Sequence, residues 1–519
     1  MKKFVTVLAF ACLVAVAAMP ALAAQDLDDF LASLDAPQAF AERHGVFDPA
    51  AVRAEQKQLH AQLVAARVEA GAENPARIVV TPQEMRRAIR AQESPQHFKK
   101  LAGMTKAVGA HVSFAGVTPK TAAVPLAVGA VRGTRDGFVW TGSAVSEGAA
   151  GVRVHFTDFS LPAGSALYVY NQDGDVHGPY TGAGPNGTGD FWTHTISGGM
   201  AYLQVTGNAP EGSFTIADVG HVAQGPVAAP QAGTLCSFNA ECVESAACTS
   251  SSAVADAEGG VAHIQFVSGP WIYICSGGLL ADTDTATSVP LFLTANHCIS
   301  SSSEASSMEA FFFFEATGCG GGCYNPDGIV PSTLGASILS TSSTSDYTLM
   351  QLAQAPPSGA VFLGWNATAV ANSNGAHLYR ISHPQGAPQA YSEHDVDTSK
   401  GTCSSWPRGN WIYSRDVLGA TEGGSSGSPV VNAAGQVVGQ LSGACGFNVN
   451  DSCDAASNAT VDGALAAYYG NVSQWLDPGS GGGDDGGGGS CTAKGDACSS
   501  NSDCCSNKCR GPNNRKTCK

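Results

Sequence analysis

The chain has little charge, and what it has is one-sided. Only 13% of its 519 residues are Asp, Glu, Lys or Arg, and the formal net charge is -16. A chain of that sign does not neutralise phosphates, so nucleic acid is excluded as a partner. Bases are scarcest between 233 and 478, where Arg380, Lys400, Arg408 and Arg415 stand among many acids. Cysteine is missing between Cys12 and Cys236, although the chain carries 17. Beyond the N-terminus there is no apolar run of membrane-spanning length; the string Phe311–Phe314 is far too short and reads as a buried strand. No C-x-x-C pair meets a His at finger-like spacing, so no metal is expected. No cofactor is implied.

What is present begins with an export signal. Lys2 and Lys3 precede the apolar run from Phe4 to Ala18, and Ala21-Leu22-Ala23 offers small residues for cleavage. Residues 1–23 therefore read as a signal peptide and the protein as secreted. Cys12 leaves with it, so an even number of cysteines remains, as a disulfide framework in an oxidising compartment requires.

Composition divides the remainder. Residues 25–100 hold few turn signals, and Leu59, Leu63 and Val64 recur near helical spacing, so this stretch reads as helical. From 110 to 225 short alternating runs such as Gly151–Phe156 and Ala166–Tyr170, separated by turns at Asp173-Gly174 and Asn186-Gly187, predict a β-sandwich. Residues 233–478 show short strands bounded by Gly and Ser, as an all-β barrel requires. Gly479–Ser490 is a Gly-rich linker that packs no core, and 491–519 forms a last small unit. The fold class expected is mainly β.

Three strings in the third unit carry chemistry: Leu293-Thr-Ala-Asn-His297-Cys298, Ser345-Asp346-Tyr347, and Gly423-Gly424-Ser425-Ser426-Gly427 before Ser428-Pro429. Alone, each has a bland reading as a packed His, a turn Asp or a loop Ser. Together, in an exported chain and in the order His, Asp, Ser, they resemble the chymotrypsin-type serine proteases, and among these the bacterial lysyl endopeptidase group. The closing string Gln474-Trp-Leu-Asp-Pro478 is similar to that group as well.

The resemblance implies a double β-barrel of trypsin-like fold over 233–478, acting on protein or peptide substrates. Ser426 is then the nucleophile, His297 its base, and Asp346 the residue that orients His297. The N–H groups of Gly424 and Ser426 form the oxyanion hole. Animal relatives carry an Asp before the nucleophile, which receives the new N-terminus on activation; here that residue is Ser425. Latency must then come from the leader, so 24–232 is expected to be a propeptide acting as folding aid or inhibitor, cleaved shortly before Cys236. A permanent N-terminal domain is the plainer alternative.

The specificity pocket is expected at Ala420, Ser442, Gly443 and Ala444. Ala420 stands where trypsin has its acid, and Ala459 or Thr460 where the lysyl endopeptidases have theirs, with Asp462 nearby. A small or apolar side chain before the scissile bond follows. A Lys preference requires Asp462 to reach the pocket. Asp282 and Asp284 read as turn residues, and His263 and His383 as structural.

For the cysteines the resemblance pairs Cys275 with Cys298, Cys236 with Cys445, and Cys242 with Cys319 or Cys323; Cys248, Cys403 and Cys453 find no counterpart. The tail cysteines Cys491, Cys498, Cys504, Cys505, Cys509 and Cys518 resemble an inhibitor cystine knot. Its Lys and Arg residues suit an anionic surface such as a cell envelope; a stabilising cap or a removable tail is the alternative. A rival in function is a secreted binding protein on a catalytically inert protease fold.

Overall fold

The structure is a computed structural model. It describes residues 36–92, 99–118, 120–223, 236, 238–320, 323, 330–403, 405–479, 509–510 and 517–518. The signal-peptide, leader-cleavage and 480–490 linker calls, and those on Cys491, Cys498, Cys504 and Cys505, lie outside the described residues.

Two compact units divide at residue 478. In the second, Cys509–Arg510 and Thr517–Cys518 pair antiparallel, with Cys509 opposite Cys518. The remaining described helices and strands belong to the first unit.

The helical expectation for 25–100 is corrected in part. Helices span Pro49–Ala66 and Pro82–Gln92, but Gln38–Ala39, Glu42–Arg43 and Ala76–Ile78 are strands, and another begins at Lys100. The first helix starts where Asp48 Oδ1 accepts from the N–H groups of Ala50 and Ala51 at 3.0 Å, with Pro49 in the first turn. The short strands form by pairing with edges elsewhere: Gln38 lies opposite Asn366, and Glu42 opposite Phe362. Such partners, hundreds of residues away, leave no periodicity to read.

Between Lys100 and Val222 two sheets face each other. One contains Lys100–Ser113, Ser213–Val222 and Gly151–Ser160; the other contains Gly137–Ser146, Met200–Gly207 and Ala166–Tyr170. Trp140, Phe114, Phe138, Phe156, Phe159 and Phe214 fill the space between, all fully buried.

The body from Cys236 to Leu476 holds two barrel-like sheets. In the first, Val261–Ser268, Trp271–Leu280, Leu291–Ala295, Tyr347–Leu352 and Ala336–Ser342 follow one another. Glu309–Phe311 and Ser332–Leu334 continue from its other side, and the positive φ of 74° at Gly335 turns the chain back to close the run. In the second, Asn458–Ala464 pairs with both Trp411–Leu418 and Val437–Gly446, which curls that sheet. Of the Phe string, Phe311 ends a strand, Phe312 and Phe314 are buried, and Phe313 stacks on Phe47 at 4.7 Å.

Leader and body share a sheet. Lys100–Ser113 pairs with Trp271–Leu280, with Trp271 opposite Met104 and Ile274 opposite Lys100. One twelve-stranded sheet therefore runs through both. Across the same boundary, fully buried Arg153 and Glu309 lie 3.7 Å apart, and Glu309 accepts from Thr195 N–H at 3.0 Å and Thr195 Oγ1 at 2.7 Å.

Two disulfide expectations are corrected. Cys236 bridges Cys323, not Cys445; Cys445 bridges Cys403; and Cys242 bridges Cys453, not Cys319 or Cys323. Cys319 pairs with Cys248, and Cys275 with Cys298. Bridging needs Cα atoms within ~7 Å. Cys445 meets that condition with Cys403, 5.9 Å away, while Cys236 sits 4.5 Å from Cys323.

Candidate active site

His297 and Asp346 are brought together by strand register. Ala295, the last residue of its strand, lies opposite Tyr347, the first of the next. His297 and Asp346 thus sit just beyond adjacent strand ends. Asp346 Oδ1 accepts the His297 main-chain N–H at 2.8 Å, and Oδ2 lies 2.7 Å from Nδ1. With Nδ1–H donating to Asp346, Nε2 is left to accept, and Ser426 Oγ is 2.9 Å from it. The Cys275–Cys298 bridge adjoins His297, so both sulfurs beside the ring are consumed.

Ser426 comes from the loop that precedes Pro429–Val431. Two glycines make the loop possible. Gly424 has φ 105°, and a Cβ there would stand 2.8 Å from the His383 carbonyl oxygen. Gly427 has φ 81°, and its Cβ would meet Thr294 Oγ1 at 2.2 Å. The N–H groups of Gly424 and Ser426 make no hydrogen bond to any described residue. Ser276 braces the loop: its N–H donates to Ser426 O at 2.7 Å, and its Oγ donates to Gly424 O at 2.9 Å. The same Oγ accepts from His383 N–H at 3.0 Å. The His383 ring is fully buried, and Nδ1 lies 3.0 Å from Ala387 O. Ser425 is buried as well, with its Oγ accepting from Ser382 Oγ at 3.1 Å.

The expected pocket residues separate. Ala420 is buried in an apolar cluster with Cys236, Val243, Ala387 and Ala390, and is absent from the walls of the nearby cavity. Ser442 is fully buried and accepts from Trp411 Nε1 at 3.3 Å, with Gly443 beside it. Ala444 does line the cavity, as do Thr421, Ala459 and Thr460. Asp462 does not; it is fully buried and ion-paired to Arg380 at 2.5 Å, away from the walls. Asp282 accepts from Asp284 N–H at 2.8 Å, as a turn residue does.

The cavity wall also contains an acid that the sequence reading passed over, Asp416. Ser414 lies opposite Thr460 in the paired strands, which brings the Thr460 hydroxyl to donate to Asp416 Oδ1 at 2.6 Å. His394 Nδ1 is 2.8 Å from the same oxygen, and Arg380 Nε–H donates to His394 Nε2 at 3.5 Å. Only that register brings Asp416 against Thr460; its distance of ten residues from Ser426 signals nothing alone. Asp451 and Asp454 add negative charge to the same wall.

Comparison with known proteins finds likeness over the body of the chain. Residues 231–459 match the family described as lysyl endopeptidase, C-terminal domain. A lysyl endopeptidase of Pseudomonas aeruginosa is 30% identical over 212 residues, which cover 40% of this chain and 44% of that protein. The chain therefore spans less than half the length of that relative. Among solved structures, an HtrA-type protease AlgW with a tripeptide aligns at a TM-score of 0.31 and 16% identity, covering 43% of this chain and 62% of the other. The Rv3671c protease from M. tuberculosis in its active form aligns at 0.31 and 14%, covering 50% and 97%.

Proposed function

We propose that the protein is a secreted serine endopeptidase made as a precursor, in which Ser426 attacks the scissile carbonyl. The observation that carries this reading is the unbroken relay from Asp346 Oδ2 through His297 to Ser426 Oγ, at 2.7 and 2.9 Å. A serine hydroxyl is a weak nucleophile and needs a neighbouring base. His297 takes the proton as the Oγ–carbonyl bond forms, and returns it to the leaving amine as the acyl-enzyme appears. The N–H groups of Gly424 and Ser426 receive the charge that develops on the carbonyl oxygen. Water then repeats the sequence on the ester. The leader serves as folding aid or inhibitor, since its sheet continues into the strand carrying Ser276. The tail serves to bind an anionic surface.

Two specificities follow from the pocket. Ala444 and Ala459 favour a small or apolar side chain before the scissile bond. The Asp416 carboxylate favours a basic one, in accord with the name of the Pseudomonas relative. A carboxylate facing an ammonium or guanidinium is the stronger discriminator, because it makes a charge-assisted contact that a neutral side chain lacks.

The test is cleavage mapping on a denatured protein mixture, with Ser426→Ala as control and fluorophosphonate labelling of the wild type. Cuts and label that vanish in the variant support the reading. Wild type indistinguishable from the variant after verified processing would return the protein to the inert, substrate-binding class.

A further inference from the structure

We propose that Glu422 is a positioning residue for the oxyanion loop, and that Asn239 ties this loop to the segment where the leader gives way to the body. The proposal rests on the peptidase reading above.

The loop Thr421–Ser426 must hold the Gly424 N–H toward a charge that exists only during reaction. Its main chain is anchored by Gln385 N–H to Gly423 O at 2.6 Å, and by Ser425 N–H to Glu422 O at 2.9 Å. Glu422 is the one charged residue of the loop. Its carboxylate receives two donors from a single stretch of chain: Asn239 Nδ2 at 2.8 Å on Oε2, and Ala240 N–H at 3.2 Å on Oε1. Asn239 Nδ2 also donates to Pro384 O at 3.1 Å, on the other wall of the loop. Asn239 Oδ1 is buried without a hydrogen-bond partner, so this amide is held here through its donor side.

That arrangement answers a gap in the sequence. With Ser425 before the nucleophile, no carboxylate there can hold a new N-terminus. The carboxylate is displaced three residues upstream, to Glu422, and its partner is an amide three residues beyond Cys236. Asn239 N–H in turn donates to Cys236 O at 2.9 Å, and Cys236 is fixed to Cys323. Order at the start of the body thereby reaches the oxyanion loop without an ammonium, and a shift of Cys236–Ala240 releases the carboxylate that holds the loop.

The isosteric change Asn239→Asp removes the donor and sets two carboxylates against each other. Misplacing one oxyanion donor costs about 10²-fold in rate. Asn239→Asp in the processed enzyme should therefore lower kcat about 10- to 100-fold, with KM within about twofold. Glu422→Gln restores an amide opposite a carboxylate, so the double variant should recover part of the loss. A purely structural role predicts neither that split nor that rescue. The proposal is overturned if Asn239→Asp keeps kcat within about twofold, if its loss lies in KM, or if the two losses simply add. A wild type that neither labels with fluorophosphonate nor cleaves peptides sinks the peptidase reading instead.

Discussion

Gln440 Nε2 donates to the carbonyl oxygens of both Ser345 and Asp346, at 2.8 and 3.0 Å, and so grips the main chain that presents Asp346 to His297. That chain needs a grip. Ser345 and Asp346 have φ of 65° and 50°, two successive residues in the left-handed region, at about 1–2 kcal/mol each. Tyr468 completes the clamp by donating to Gln440 Oε1 at 2.6 Å while its ring stacks on Tyr347 at 4.0 Å. The closing helix Leu465–Leu476 thus reaches the main chain of Asp346 through Gln440.

Gln440→Leu strands the Ser345 carbonyl and the buried Tyr468 hydroxyl and frees the strained turn, while the Asp346 carbonyl keeps the Asn296 N–H at 3.0 Å. The expected result is a loss of about 2–4 kcal/mol in unfolding free energy and a fall in kcat of more than about tenfold. Tyr468→Phe removes one bond and keeps the stack, so about 1 kcal/mol and a smaller kinetic effect are expected. Denaturant unfolding beside steady-state kinetics decides; unchanged kcat in Gln440→Leu would separate the clamp from catalysis.

Asp416→Asn tests the pocket. If the carboxylate receives a basic side chain, kcat/KM for peptides cut after Lys or Arg should fall about 10²–10³-fold, the cost of leaving one partner of a buried pair alone. Peptides cut after Ala should change little. Cleavage after small residues in both proteins would assign the pocket to Ala444 and Ala459 instead.

The sequence makes the three strings around His297, Asp346 and Ser426 readable because each is local: a strand end, a turn, and a Gly-rich loop. Distances between them become legible only through the family resemblance. What stays hidden depends on register. Asp416 reaches Thr460 through the pairing of Ser414 with Thr460, and Asp462 faces Arg380 because its strand lies between two others. The bridges of Cys236, Cys242 and Cys445 depend on loop paths that no short pattern encodes. The strands at Gln38 and Glu42 exist only because distant edges await them.

The Arg153–Glu309 pair makes a prediction about the precursor. Both side chains are fully buried, and the Glu309 carboxylate also accepts from Thr195 and Ser332. Glu309→Ala leaves Arg153 buried and uncompensated, at about 3–5 kcal/mol. The penalty belongs to the form that retains the leader. On the proposed removal of the leader, denaturant midpoints should drop sharply for the precursor variant and little for the processed one, which would lack Arg153 and Thr195. Equal losses in both forms would show that Glu309 supports the barrel rather than the leader.

Buried histidines predict the response to acid. His263 and His383 are both fully buried, with ring centroids 5.6 Å apart. Burial pushes His383 down to about 4, with its Ala387 contact opposing, and holds His263 well below its ordinary value, reinforced by His383. The unfolded chain therefore binds these protons first, near pH 6.5. Stability from the neutral rings is complete above about pH 6.5 and is lost as pH falls toward 4. His177 has the opposite sign: burial lowers it, but Asp175 more than offsets this and raises it. The difference between a variant and wild type is thus the proper readout. Neither His263 nitrogen has a hydrogen-bond partner, so His263→Leu removes a titrating ring without stranding a donor or acceptor. The variant should match or exceed wild type at pH 7, and its stability should fall less steeply between pH 6.5 and 4, by up to about 1.4 kcal/mol per pH unit. Parallel curves would mean that His263 is not among the groups that protonate on acid unfolding.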